Sequence, residues 1–248
     1  MVLALLAGCG TSRAAASRSR VATRTLAAAR GADRPLPTTL WYPARLDGRH
    51  PIVLFSHGLG GLPEHFTPLV TQWAAAGYIV AAPAYPHTNA HVRVDRADIA
   101  EQPADAAYVI GRIRALGSTK GDVLAGHVDG GRVAAVGFSA GGTTTLGLLR
   151  PGHDPAIRAA VSIAGREPSA PMGGAPVATL FVHGDRDPVV PIAAGRQAYA
   201  SVPWPGKRFV SVPGGGHGQY LNPGDSAYAR TTDEMRAFLV AELGAPAS

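Results

Sequence analysis

Short apolar runs bounded by Gly or Pro recur along the chain at 38–42, 52–55, 78–82, 133–136, 160–163, 177–182 and 208–212. They are continuous rather than alternating, which predicts strands buried on both faces. Between them, segments with helical spacing fall at 66–76, 97–116, 140–149, 193–200 and 226–243. Strand and helix therefore alternate, the order expected of one α/β domain with a mostly parallel central sheet and helices on both faces. In such a domain ligands bind at the carboxyl ends of the strands.

Two connections break the rhythm, at 117–131 and 165–175, and neither is long enough for a folded cap. No large cap domain and an open active site are expected. The length of 248 residues suits one catalytic domain over 35–243. Residues 10–34, rich in Ala, Arg, Ser and Thr and without a sustained apolar face, read as a flexible tether, and 244–248 as a disordered tail.

Composition changes this picture at the N-terminus. The formal charge of +6 arises mostly before residue 35, where six arginines face only Asp33; the remainder holds 17 basic and 16 acidic residues. That balance gives no case for nucleic acid. The single cysteine, Cys9, excludes an intramolecular disulfide and any multi-cysteine metal site. It closes an apolar run, Met1 to Cys9, too short to span a bilayer and similar to a secretory signal. Leu6-Ala7-Gly8-Cys9 resembles the bacterial lipobox, which implies lipidation at Cys9 and an exported protein attached to the membrane only through that anchor, or secreted. A monomer is expected.

The candidate chemistry begins at Gly137-Phe138-Ser139-Ala140-Gly141, between a strand and a helix, the setting of a nucleophile elbow. A serine hydroxyl needs a base, and the base an orienting carboxylate. His183-Gly184-Asp185-Arg186-Asp187-Pro188-Val189-Val190-Pro191 and Gly214-Gly215-Gly216-His217-Gly218 follow two later strands and supply both, with His217 as the base. Small residues about His217 let its loop fold inward.

The first of these segments resembles the HG-x-x-D-x-x-V-P acid loop of α/β-hydrolases at His183, Gly184, Asp187, Val190 and Pro191. That match implies Asp187 as the acid; Asp185, the alternative carboxylate, and His183, the other candidate base, read from their places at the strand end as stabilising the turn. For the tetrahedral oxyanion, the N–H of Ala140 is one donor. The resemblance implies Leu59, after His57-Gly58, as the other. Gly137, Gly141, His57 and Gly58 support the elbow and loop. Phe138 and His87, the latter after the strand at 78–82, are candidate substrate contacts. His87, His91 and Asp95 have spacing that would suit a metal, but Pro86 and Asn89 make the segment a loop, so neither a metal nor a cofactor is expected.

Leu36–Pro43, Phe55–Gly61 and the Pro103-Ala104-Asp105 helix entry resemble bacterial serine esterases related to dienelactone hydrolase, platelet-activating-factor acetylhydrolase and cutinase-like polyester hydrolases. The resemblance implies an α/β-hydrolase fold and cleavage of small or polymeric carboxylic esters through an acyl-enzyme. Dienelactone hydrolases carry Cys at the elbow, so Ser139 favours ordinary esters over that lactone chemistry. A serine peptidase or acyltransferase shares the same apparatus, and a non-catalytic binding module would share the fold.

Overall fold

The computed structural model describes residues 20–244, so Cys9, the signal-like segment and most of the tail expected at the C-terminus lie outside the described residues. The eight strands are β1 Val21–Leu26, β2 Thr38–Pro43, β3 His50–Ser56, β4 Ile79–Pro83, β5 Val128–Phe138, β6 Ile157–Ile163, β7 Ala178–Gly184 and β8 Lys207–Val212. They form one sheet in the order β1-β2-β4-β3-β5-β6-β7-β8. β1 and β2 pair antiparallel, as do β2 and β4, and every later pairing is parallel.

The five α-helices are α1 Thr67–Ala75, α2 Gln102–Leu116, α3 Ala140–Gly147, α4 Ile192–Ser201 and α5 Tyr228–Leu243. On one face of the sheet, Leu69, Val70 and Trp73 of α1 join Met235 and Leu239 of α5 in a core with Val53, Val136 and Val161. On the other, Val109, Ile110 and Ile113 of α2 join Leu146 of α3 and Ala198 of α4 over Ile52, Leu54 and Ala135. Successive residues of β3 thus enter opposite cores, and this is why its sequence is continuously apolar. The fold is that of an α/β-hydrolase.

The N-terminal reading needs correction. Within the expected tether, Val21–Leu26 is a strand, paired along its length with Thr38–Pro43. It lacks an apolar face because it is an edge strand, held by ladder hydrogen bonds and by charge rather than by burial of both faces. Arg24 donates to both carboxylate oxygens of Asp122 at 2.7 and 2.9 Å. Arg30 reaches Asp105 at 2.7 Å, and Arg34 bridges Asp98 and Asp105 at 2.7 and 2.5 Å. Arg24, Arg30 and Arg34, which the sequence places in a tether, therefore neutralise acids of the body, and the folded domain includes the chain from Val21 onward.

The helical segment expected from 97 divides at Glu101 into a 3-10 turn, Arg96–Ala100, and α2. Asp95 caps the turn by accepting from the N–H of Ala97 at 2.9 Å. Pro103, in the first turn of α2, lacks a donor where the helix has no use for one. The 3-10 turn, through Arg96 and Ile99, forms one wall of the cleft described below.

Candidate active site

Ser139 sits between β5 and α3 with φ 55° and ψ −117°, a conformation that costs a non-glycine residue about 1–3 kcal/mol. It is held there: its N–H donates to Ile163 O at 2.7 Å and its carbonyl accepts from Thr143 N at 3.1 Å. The turn closes only because both flanking positions lack a side chain. A Cβ at Gly137 would lie 2.1 Å from Gly141 O, and one at Gly141 would lie 2.0 Å from Ser56 O.

The base and its partner come from neighbouring strands. His217 Nε2 is 3.0 Å from Ser139 Oγ, and its Nδ1 is 2.7 Å from Asp187 Oδ2. With the carboxylate ionised, Nδ1 carries the proton, which leaves Nε2 as acceptor for the serine hydroxyl. The side chain of Asp187 is wholly buried, and its Oδ1 accepts from the N–H groups of Val189 and Val190, each at 2.8 Å. Burial opposes its charge, but these three donors outweigh burial and hold its carboxyl below the usual aspartate range.

The acid and base loops are sewn to each other by backbone. Asp185 accepts from Gly214 N at 2.7 Å, and Arg186 N donates to Gly215 O at 2.9 Å. Gly184 allows this approach, since a Cβ there would lie 2.3 Å from Gly215 O. His183, buried beneath, stands 2.8 Å from Val190 O through Nε2, the nitrogen that donates to that carbonyl, and 3.6 Å from Asp187. Its burial depresses its pKa, against the opposing pull of Val190 and Asp187. His183 thus supports the acid loop, and it makes no hydrogen bond to Ser139 among the described residues.

His57 and Gly58 shape the loop after β3. His57 Nε2 accepts from Tyr85 N at 3.2 Å, so Nδ1 bears the proton and donates to Gly58 O at 2.7 Å. Burial lowers the pKa of this imidazole, which keeps it in the neutral state the two bonds require. Gly61 N closes the turn onto Gly58 O at 2.9 Å. No turn, loop or cap hydrogen bond among the described residues uses the N–H of Leu59 or of Ala140. Both residues line the same cleft as Ser139 and His217.

That cleft has a volume of about 520 Å³ and is completed by Arg96, Ile99, Thr143, Arg166, Glu167, Val189 and Val190. Phe138 and His87 are not among its walls. The Phe138 ring packs 4.8 Å from that of His217 and 5.6 Å from Phe66, so it backs the base instead of facing the cleft. His87 is exposed, and its carbonyl is engaged by Asp95 N at 2.8 Å. The two expected substrate contacts are therefore not in the cleft wall: Phe138 packs against Phe66 and His217, and His87 is exposed outside it. Six wall residues escaped the sequence reading: Arg96, Ile99, Thr143, Arg166, Glu167 and Val189. Thr143 lies one helical turn beyond Ser139 and Arg166 follows the carboxyl end of β6, positions that helix periodicity and the strand-end rule do point to. Among the described residues no group of three His, Cys, Asp or Glu side chains is placed to hold a metal ion.

No curated protein matches the sequence. Residues 8–240 match the family described as PETase, PET hydrolase-like, a span that takes in every residue of the cleft. The eight-stranded sheet, the elbow at Ser139 and this match agree: the chain belongs to the PET hydrolase-like family of α/β-hydrolases.

Proposed function

We propose that this protein hydrolyses carboxylic esters, small or polymeric, with Ser139 as nucleophile, His217 as general base and acid, and Asp187 as the group that orients His217. One observation carries the reading: an unbroken hydrogen-bond chain from buried Asp187 through His217 to Ser139, at the floor of an open cleft. Membership of a family of polyester hydrolases supports the same chemistry.

In this mechanism His217 Nε2 takes the Ser139 proton as Oγ attacks the ester carbonyl. The amides of Leu59 and Ala140 receive the developing oxyanion, so its charge is met by donors that no backbone group competes for. Collapse expels the alcohol with the proton from His217 and leaves an acyl group on Ser139. Water, deprotonated by His217, then attacks that ester, and the acid departs as Ser139 recovers its proton. Asp187 keeps Nδ1–H in place throughout.

Hydrolysis of p-nitrophenyl esters of graded chain length tests the reading, with a polyester film as the polymeric substrate. The protein cleaves at least one ester of the series and is labelled at Ser139 by a fluorophosphonate, whereas Ser139→Ala loses about a thousandfold or more in kcat and is not labelled. Intact esters together with an unlabelled Ser139 would overturn it.

A further inference from the structure

The cleft beside Ser139 opens onto a second hollow. Arg96, Ile99 and Thr143 line both, and the second, about 320 Å³, continues past Pro168 to Arg150. Its walls are otherwise small or aliphatic, with Ala97, Ala100, Pro103 and Ala170 among them, and among the described residues its only ionisable side chains are the two arginines. Among the described residues no aromatic side chain lines it, and the His217 imidazole is the only aromatic ring in the walls of the cleft itself.

Neither guanidinium has an ion pair or a hydrogen bond among the described residues, because the nearby acids are committed elsewhere. Asp95 caps the turn that carries Arg96, and Arg34 and Arg30 hold Asp98 and Glu101. Beside Arg150, Asp154 is taken by Arg114. Glu167, in the cleft, accepts from the neutral amide of Gln197 at 3.1 Å and keeps its charge, with Arg166 in the same wall. A continuous groove thus runs from the nucleophile along an aliphatic wall to two cations that have no partner among the described residues.

We infer that this groove selects esters that carry a free carboxylate, separated from the scissile carbonyl by a chain of methylenes. Monoesters of linear dicarboxylic acids and the acid-terminated ends of linear polyesters have this form. A guanidinium is the side chain best matched to a carboxylate, and apolar walls favour a methylene spacer over a polar one. Holding the remote carboxylate would fix the ester relative to Ser139, so that binding energy away from the reaction is used to position the carbonyl. The enzyme then works on acid-terminated fragments in preference to the interior bonds of a chain. This inference rests on the proposed hydrolase activity.

The test compares kcat/KM for the monoethyl and diethyl esters of succinate, adipate, suberate and sebacate at low ionic strength. In the wild type the ratio of monoester to diester is about tenfold higher than in Arg96→Gln/Arg150→Gln, the difference lies mainly in KM, and it contracts as salt is added. Arg96→Lys retains part of the preference that Arg96→Gln loses. Should the double variant not fold, the lysine variant and the salt series on the wild type decide the matter. A wild-type ratio equal to that of the variants and insensitive to salt overturns the inference, and continued Ser139-dependent cleavage of the diesters then leaves the hydrolase reading standing. Failure to cleave either ethyl ester while p-nitrophenyl esters are still hydrolysed would overturn the inference alone, and failure on both series with Ser139 unlabelled would remove the hydrolase reading as well.

Discussion

The guanidinium of Arg34 faces the carboxylate of Asp98 in a two-pronged pair, Nη1 to Oδ1 at 2.7 Å and Nη2 to Oδ2 at 2.9 Å. The pair joins the segment after β1 to the 3-10 turn that forms a wall of the cleft. The same guanidinium reaches Asp105, whose side chain is wholly buried. Removing it would leave acids out of water with only Arg30 to balance them, and breaking a buried pair in this way costs about 3–5 kcal/mol. Arg34→Ala is therefore expected to lower stability by about 3 kcal/mol in chemical denaturation. It should also raise KM more than it lowers kcat, because the cleft wall loosens while the triad loops stay in place.

Gly184→Ala tests the seam between the acid and base loops. The new Cβ meets backbone, not a flexible side chain, at 2.3 Å from Gly215 O and 2.4 Å from Gly216 O, so the loop bearing His217 must shift. A displacement of about 1 Å at a reacting group is worth roughly a hundredfold in rate. The expected result is a fall of that order in kcat, with a lower melting temperature, in a protein whose Ser139 and Asp187 are untouched. Unchanged kinetics would show that the two loops are not coupled as described.

Asp187→Asn keeps the shape of the acid but removes the charge that selects Nδ1–H on His217. By analogy with triads of this design, kcat falls by about three to four orders of magnitude. The charge also bears on stability. Because the folded carboxyl titrates below its ordinary value near 3.8, its contribution is present above that pH and lost as pH falls through the depressed folded value. Denaturation of wild type and variant at several pH values should show their difference shrinking in that acid range.

His57 and His183 act in the opposite sense. Burial lowers both below the ordinary 6.5, so under mild acid the unfolded chain takes up protons that the folded protein refuses. Stability then rises with pH up to about 6.5 and declines below it, by at most about 1.4 kcal/mol per pH unit for each histidine. Replacing either with Gln should flatten that slope in a series of urea midpoints taken between pH 5 and 7, whatever its effect on stability at neutral pH.

The strands β2 to β8 and the five helices were legible because β3, β4, β6 and β7 are buried on both faces and so read as near-continuous apolar runs, whereas β8, expected to be buried likewise, is a half-exposed edge strand recognised from its Phe209-Val210 centre. β1 was not, since Val-Ala-Thr-Arg-Thr-Leu has no apolar run, and what orders it and the segment after it lies in Asp122 for Arg24 and in Asp105 and Asp98 for Arg34, some 64 to 98 positions away along the chain. Ser139, Asp187 and His217 were legible for a different reason: each stands in a short motif just past a strand end, and the topology brings those ends together. The rest of the cleft was not, because Arg96 and Ile99 arrive on a turn tied down by Arg34 through Asp98, and His87 is exposed outside the cleft although it too follows a strand. Motif carries the chemistry of such a site, while the walls depend on long-range packing.

The backbone seam between the loops after β7 and β8 also decides how the site would be lost. Asp187 and His217 travel as one body, hinged to the sheet through its last two strands, whereas Ser139 is anchored near the middle. Peeling of the open edge at β8 would carry acid and base off together and leave the elbow intact. Thermal inactivation would then precede global unfolding, with the nucleophile still folded into place but deprived of its base.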